Sequence, residues 1–367
     1  MVKRIRIAVI YGGVSGEHSI SCATAGAIMR ALDPDRYNVV SIGIRRDGTW
    51  VPGETDPEVL DMSRGLTEVG PSDRRIVIPP GDGSQSLLEV GGGQVRELGA
   101  VDVVFPVLHG PFGEDGTIQG LLEMAGIPYV GCGVLASAAG MDKDFMKQVL
   151  IGAGLPVGPY VAVTAHRWRA ERDAVLAEVA ELEFPVYVKP ARAGSSLGIS
   201  KVESLEGVAA AVEGAQAHDP KVVIEQGIAG REVECAVLGG RGDEPARASV
   251  LGEVLLEAPA GGFYDFDSKY VSTDGLTMSI PAELDEETTR RVREIAVRTF
   301  DAFECEGLTR VDFFVAGGEP IVNEINTMPG FTPFSMYPAL WGQAGLSYGE
   351  LVDELVGLAL ERPRGLR

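Results

Sequence analysis

The chain has 367 residues, too many for one ordinary hydrophobic core, so two or three domains are expected. Its apolar content of 45% and charged content of 23% are those of a water-soluble globular protein. Net charge is −21, from 53 acidic and 32 basic residues with no Lys/Arg block, which makes nucleic acid and anionic membrane poor partners.

The opening MVKRIRIAVIYGG sets basic residues before an apolar run, as a secretory leader does. The run is too short for that and ends in Gly12 and Gly13, so it reads as a first β-strand. IRIAVIYGGVSGEHSISCATAGAIMRAL then reads as strand, Gly-rich turn and helix, the start of an α/β unit. It lacks GxGxxG, so a dinucleotide-dependent oxidoreductase has only this one unit to rest on. Between residues 46 and 98 periodicity fades into Gly, Pro and charge, which predicts an insertion or an embellished edge. AVDVVFPVLHG is a second buried-type strand running into the loop PFGEDG, followed by a helix from TIQGLLEMAG and a strand IPYVG. Both polar loops thus fall at the C-terminal ends of strands, the ligand edge of an open parallel sheet.

No stretch approaches the roughly 18 apolar residues that a membrane helix needs. Cys22, Cys132, Cys235 and Cys305 are far apart with no CxxC pair, which fits buried thiols in a reduced cytoplasm better than a disulfide frame or a zinc site. The four histidines make no zinc pattern either. His18 and His109 follow loops at strand ends, whereas His166 and His218 sit in polar stretches.

From SAAGMDKDFMKQVLIGAGLPV onward the pattern is a helix, then strand, small-residue loop and strand in FPVYVKPARAGSSLGISKV. A helix near 203–215 leads to the strand KVVIEQGIAGREVECAVLGG, and strands then alternate with the helix DEETTRRVREIAVRTFDAFE. Lys189 closes an apolar run, and Gly194, Ser195, Ser196 and Gly198 follow. Small residues let backbone amides approach phosphate oxygens and hydroxyls add donors, although such a turn standing alone is more often a plain hairpin. There is no Walker A sequence. Glu225 and Glu232 bracket IEQGIAGRE, where strand-end carboxylates can accept from ribose hydroxyls; on spacing alone surface carboxylates are the simpler reading.

GLTRVDFFVAGGEPIVNEIN reads as two short β runs joined at AGGEP. A hairpin centred on Gly318 with a three-residue loop sets Asp312 opposite Glu324 and Arg310 opposite Asn326. Because side chains alternate faces, Val311, Phe313, Val315, Ile321 and Ile325 then take the other side, with the polar Asn323 among them unexplained. Facing carboxylates repel unless a cation or proton lies between them. Asp312, Glu324 and Asn326 suit one or two Mg²⁺, a hard ion that takes one or two protein carboxylates and fills its octahedron with water and phosphate. A solvated hairpin face is the plain alternative, and a bulge at the turn would shift the register.

Taken together, GGVSGEHSIS, PVLHGPFGEDGTIQGLLE, GMDKDFMKQVL, VKPARAGSSLG, IEQGIAGREVE, DFDSKY, RVDFF and NEINTMPGFTPFSMYP resemble the ATP-grasp superfamily and, within it, the D-alanine:D-alanine ligases. The likeness runs in order from about residue 5 to 360 and is loosest over 46–98. It implies an α/β and α+β architecture: an N-terminal Rossmann-like parallel-sheet domain over 1–138, then a two-part ATP-grasp fold. The central subdomain would span 139–235, and the C-terminal subdomain, with metal site and lid, 236–367. It implies a cytoplasmic homodimer that uses ATP and Mg²⁺ or Mn²⁺, two ions, to join two D-alanine molecules through a D-alanyl phosphate for peptidoglycan synthesis.

Carried over by position, Lys143, Lys189 and Lys269 resemble the phosphate and adenine contacts. Glu225 and Glu232 fall on the adenine and ribose, and Phe263 packs near the base. Asp312, Glu324 and Asn326 match the metal ligands. Glu17 resembles the residue that meets the first substrate's ammonium, and Ser195 and Tyr270 the hydrogen-bonded pair that organises the lid GGFYDFDSKYVS. His109 lies on the substrate side as a helper for the second amino acid, whose place Gly330 and Ser335 line. Arg310 matches the guanidinium between acyl phosphate and attacking amine. Two alternatives stay open: a D-alanine:D-lactate or D-alanine:D-serine ligase, and a non-catalytic ATP-grasp nucleotide-binding regulator. Tyr270, and Met336 where the first group of relatives carries a basic residue, favour D-alanine as the second substrate. Arg310 beside a full set of metal-ligand types argues against the regulator.

Overall fold

The first apolar run becomes β1 (Ile5–Gly12), buried from Ile7 onward, in a computed structural model that describes residues 3–81, 84–194, 197–256 and 276–362. Helix α1 (His18–Ala31) follows, almost wholly buried because its apolar and small residues sit against that strand and the chain's last helices. β2 (Tyr37–Ile44) pairs parallel with β1, and β3 (Trp50–Pro52) adds antiparallel to β2. β4 (Arg74–Val77), β5 (Ser86–Gly91) and β6 (Gln94–Ala100) form an antiparallel sheet of their own, which accounts for the weak periodicity of 46–98. β7 (Val103–Val107) returns to the other side of β1, again parallel, giving the sheet order β3-β2-β1-β7. Helix α2 (Thr117–Ala125) forms where expected, but IPYVG contributes only an isolated bridge from Tyr129 to Val104.

SAAGMDKDFMKQVL is two helices rather than one: α3 (Val134–Met141) and α4 (Lys143–Gly152). Asp142 breaks them, because its extended backbone ends α3 while its carboxylate accepts from the amides of Asp144 and Phe145 and caps α4. The break puts Lys143 at the first residue of α4. Beyond lie β8 (Tyr160–Thr164), α5 (Ala165–Ala170), α6 (Arg172–Val179), β9 (Val186–Pro190), β10 (Ser200–Val202), α7 (Leu205–Gln216) and β11 (Lys221–Gln226). The strands make an antiparallel sheet in the order β10-β9-β11-β8, whose valines pack against Val175, Val179, Val208 and Val212 of α6 and α7.

KVVIEQGIAGREVECAVLGG is likewise not one strand. After β11 the chain leaves that sheet through Gly227–Gly230, and β12 (Arg231–Leu238) enters another, running through the expected 235/236 boundary. With β13 (Arg247–Leu256), β14 (Leu276–Ser279), helix α8 (Glu286–Ala302), β15 (Leu308–Ala316) and β16 (Glu319–Asn326) it builds a five-stranded antiparallel sheet in the order β14-β13-β12-β15-β16. The crossing is what leaves a cleft between two sheets.

The β15–β16 hairpin corrects the expected turn and keeps the expected site. Its loop is two residues, Gly317 and Gly318, both at positive φ (58° and 84°), with Ala316 opposite Glu319. Two left-handed residues in a row are what a tight turn matched to strand twist demands, and glycine adopts them without penalty. A bulge between Asp312 and Phe313 then inserts Asn323 as an extra residue, so Phe313 pairs with Val322 while Asp312 pairs with Glu324 and Arg310 with Asn326. The bulge explains the polar Asn323, and it moves Ile321 from the core side to a place opposite Phe314. Val322 takes the core position instead, 1% exposed.

Helices α9 (Met336–Gln343) and α10 (Tyr348–Glu361) fold back on the first sheet, so one apolar core runs from Val9 and Phe105 to Leu351 and Leu355. Its aromatic hub is Phe331, fully buried, with ring centroids 6.1 Å from Phe105, 5.7 Å from Tyr337 and 5.4 Å from Tyr348. Burying one such ring is worth about 1.5–3 kcal/mol, and here it also anchors the loop after β16. All four cysteines are buried free thiols, as expected. Among the described residues no helix is long and apolar enough to cross a membrane.

Candidate active site

A small hollow between the two antiparallel sheets is lined from both sides, by Lys147, Gly158, Glu225 and Ile228 on one and Phe314 and Asn323 on the other. On the four-stranded side Glu225, at the end of β11, is gripped twice: Lys189 Nζ lies 2.6 Å from Oε2 and Lys147 Nζ 3.1 Å from Oε1. Burial acts to raise the Glu225 carboxyl, but the two ammonium groups overcome it and bring it down to about 2. For Lys189 burial opposes the charge and Glu225 more than restores it, raising its pKa. For Lys147, only 3% exposed, burial wins over Glu225 and lowers it. Lys143 Nζ donates to the carbonyl of Ala193 at 2.9 Å, in the loop after β9, and stands 3.9 Å from Glu324 across the cleft.

The five-stranded sheet answers with acid. Strand alternation puts Glu232 and Glu234 of β12, Arg310 and Asp312 of β15, and Glu324 and Asn326 of β16 on one face, opposite the buried Val233, Cys235, Val311 and Phe313. Arg310 makes a bidentate pair with Asp312, both bonds 2.7 Å, and reaches Glu234 at 2.8 Å. Burial works against its charge, yet Asp312 and then Glu234 outweigh it and raise its pKa. The Asn326 amide donates to Asp312 at 3.0 Å, which leaves its carbonyl oxygen for other work. Glu232 is exposed on the same face.

A further group of candidate residues joins the first sheet to the end of the last. Glu17 precedes α1, and its Oε2 is so close to Gly110 and Gly194 that a Cβ at either would lie 3.4 Å from it. His109 is 5% exposed and its Nδ1 lies 3.2 Å from the Met328 carbonyl. A carbonyl can only accept, so Nδ1 carries the proton and Nε2, which has no partner, presents a lone pair. Burial holds the His109 pKa below its usual value, opposed by Glu17. Gly330 backs onto Ser335, whose Oγ would lie 3.2 Å from a Cβ there, and the same hydroxyl accepts from Thr332 N at 3.0 Å. Met336 turns into the core against Gly252.

Lys143 and Glu324 approach across the gap between the two sheets, with Lys189 and Glu225 on one side and Glu232, Arg310, Asp312 and Asn326 on the other; Glu17 and His109 come together at the loop after β7, and Gly330 and Ser335 in the loop after β16. Ser195, Phe263, Lys269 and Tyr270, with the expected lid, lie outside the described residues. Three residues escaped the sequence reading. Lys147 follows Lys143 by one helical turn, a spacing that puts both on one face of α4. Glu234 alternates with Glu232 and needed only the pairing of β12 with β15. Glu114, five residues past His109, had no periodic signal; burial and then Glu17 push its carboxyl up to about 8, against the amides of Gly110 and Met328 that it accepts.

Two antiparallel sheets that close on a cleft, lysines on one and paired carboxylates on the other, define an ATP-grasp fold. Residues 6–132 match the family profile described as D-ala D-ala ligase N-terminus, and residues 149–357 that described as D-ala D-ala ligase C-terminus. The chain belongs to the D-alanine–D-alanine ligase family. It is 55% identical over 365 residues to the D-alanine–D-alanine ligase of Arthrobacter sp. (strain FB24), covering 99% of this chain and 96% of that one. To the enzyme of the same name from Kineococcus radiotolerans it is 53% identical, covering 99% and 98%. Among solved structures, VanG D-Ala:D-Ser ligase from Enterococcus faecalis superposes with a TM-score of 0.83 at 37% identity, over 97% of this chain and 100% of that one. The D-alanine-D-alanine ligase from Coxiella burnetii gives 0.80 at 33%, over 98% and 95%.

Proposed function

We propose that the protein joins two D-alanine molecules to D-alanyl-D-alanine at the expense of ATP, releasing ADP and phosphate, for peptidoglycan synthesis. A carboxylate is a poor electrophile with no leaving group, so the first D-alanine's carboxylate must take the γ-phosphoryl group before an amine can attack it. Lys143, Lys189 and Lys269 are the cations assigned to the phosphates and adenine, with Glu225 and Glu232 toward adenine and ribose. Glu17 receives the ammonium of the first D-alanine.

Asp312, Glu324 and the Asn326 carbonyl fit Mg²⁺. Asp312 and Glu324 face each other on neighbouring strands with Asn326 on the same face, two carboxylates and one carbonyl, a short donor set of the kind that an ion shared with phosphate takes. Held there, one or two ions would neutralise charge on the transferring phosphoryl group.

The second amine then attacks the acyl carbon and phosphate leaves. His109, neutral through burial, offers Nε2 as an acceptor to that amine rather than a cation to a carboxylate. Arg310 and the amide near Gly330 face the oxyanion. The observation that carries the reading is Arg310, fixed between Glu234 and Asp312 beside the metal donors, because a nucleotide binder without turnover needs no oxyanion stabiliser.

The test is Mg²⁺-dependent phosphate release with D-alanine, L-alanine, or D-alanine plus D-lactate or D-serine, with products identified by mass. Phosphate and D-alanyl-D-alanine appearing together, with L-alanine inert, is the expected result; no phosphate under any pairing rejects it. The buried free thiols support a reducing, cytoplasmic setting. Assembly as a homodimer rests on the family resemblance, and light scattering that returns a single 38.8 kDa chain would reject it.

A further inference from the structure

Two prongs of one loop hold one residue of another. The loop after β7 sends His109 Nδ1 to the carbonyl of Met328, 3.2 Å, and Glu114 Oε1 to the amide of Met328, a long 3.4 Å. The other Glu114 oxygen accepts from Gly110 N at 2.7 Å, which ties the two prongs together. The loop is braced from within: the amides of Gly113 and Glu114 both reach Gly110 O, at 3.0 and 2.9 Å, and Gln119 donates to Gly113 O at 2.8 Å. Gly113 admits no side chain, since a Cβ would lie 2.6 Å from Leu108 O. Met328 itself is 4% exposed, and two residues on comes Gly330, the proposed oxyanion donor.

We propose that Glu114 is a positioning residue which, with His109, clasps Met328 and so sets the Gly330 loop against the first sheet, fixing the seat of the second amino acid. The inference rests on the ligase reading. Each peptide bond of Met328 is held through one polar atom by a loop that cannot relax, so the loop carrying Gly330 takes its place from the N-terminal sheet as well as from Phe331 in the core. Loss of the carboxylate frees the amide end of Met328, leaves the contacts of Lys143, Lys189 and Glu225 in place, and alters only the electrostatic field at Glu17 and Glu324. The second half-reaction is then the one that suffers, since attack on the acyl carbon needs the amine and Gly330 in register and phosphoryl transfer does not.

Glu114→Ala and Glu114→Gln are compared with the wild type in two assays: trapping of the acyl phosphate by hydroxylamine, which needs ATP and the first D-alanine only, and dipeptide formation. Trapping is expected to stay within about twofold while dipeptide formation falls about tenfold in Glu114→Ala, the worth of one hydrogen bond, with Glu114→Gln between because one oxygen acceptor remains. Both half-reactions falling together, or neither changing, would overturn the clasp. Hydrogen exchange of the unliganded protein gives a reading independent of activity. Faster exchange confined to the peptide that holds residues 327–331 supports the clasp, and unchanged protection in Glu114→Ala sinks it. A wild type that makes no dipeptide rejects the ligase reading, and the exchange experiment still decides whether Glu114 holds Met328.

Discussion

The two walls of the cleft solve one problem with opposite stoichiometry. Beside the four-stranded sheet two lysines, Lys147 of α4 and Lys189 of β9, share one carboxylate, Glu225; on the five-stranded sheet one guanidinium, Arg310, shares two, Asp312 and Glu234. A buried ion pair is costly unless well matched, and an unmatched one more so. Each cluster matches most of its charge internally and keeps a surplus, positive on one wall and negative on the other. A nucleotide triphosphate with its metal has both signs to offer, phosphate to the lysines and cation to the carboxylates. Lys143, 3.9 Å from Glu324, spans the gap between the two walls.

The largest effect expected is at Arg310. Arg310→Ala removes the charge that faces the developing oxyanion and should lower kcat about 10²–10³-fold, with ATP affinity nearly unchanged. A variant with normal turnover would leave the acidic wall as a metal seat and nothing more. The basic wall is tested through its one carboxylate. Glu225→Gln leaves Lys147 and Lys189 buried and unmatched, and should cost about 3–5 kcal/mol of stability in a denaturant titration. The same comparison has a pH signature. Glu225 is held down to about 2 in the folded protein, by the two lysines and against its burial, where the unfolded value is 4.5. Its contribution is therefore complete above 4.5 and is lost as pH falls toward 2, so the stability gap between wild type and Glu225→Gln should close across that interval. A gap constant down to pH 2 would mean that the lysines do not hold the carboxylate.

Glu234→Gln probes the surplus on the acidic wall more gently. Arg310 keeps its bidentate bonds to Asp312 and loses the charge of an ion-pair partner 2.8 Å away, a contact between charged groups worth about 1.5–3 kcal/mol, so kcat should fall about 10- to 100-fold with the metal requirement intact. A raised requirement for Mg²⁺ without loss of kcat would instead assign Glu234 to the metal.

The acidic wall was the more legible of the two from the chain alone, and for a partly accidental reason. Period-2 alternation gave the pairs Asp312–Glu324 and Arg310–Asn326 correctly from a three-residue turn that does not exist. The real turn is one residue shorter, and Asn323 restores the register as a bulge. A polar residue in an apolar run was the visible trace of that bulge, and turn chemistry at Gly317–Gly318 was the signal that pointed to it. The basic wall was harder to read because its charges meet only in three dimensions: Lys147 lies on a helix, Lys189 and Glu225 on neighbouring strands, and no sequence period links them. The same holds for Glu114, whose partner Met328 is 214 residues away. Helix breaks at single capping residues, such as Asp142, and a strand that changes sheets at Gly227–Gly230 are likewise tertiary facts that a local pattern smooths over.

The smallest effect concerns Glu232, which stands exposed on the acidic face opposite Phe314 and near enough to add to the field at Lys189. Its proposed partner is a ribose hydroxyl, which donates to the carboxylate in water-accessible surroundings. One such bond contributes only about 1 kcal/mol, so Glu232→Gln, which keeps an oxygen acceptor but not the charge, should raise the KM for ATP by no more than about fivefold and leave kcat alone. The distinguishing experiment repeats the comparison with 2′-deoxy- and 3′-deoxy-ATP. If the carboxylate accepts from the ribose, the substitution weakens the same contact that the missing hydroxyl removes, and their costs do not add. Additive costs would mean that Glu232 acts on the nucleotide only through its charge, by way of Lys189. The acidic wall would then extend its influence across the cleft to the basic one, and the two clusters would be one electrostatic unit even before ATP joins them.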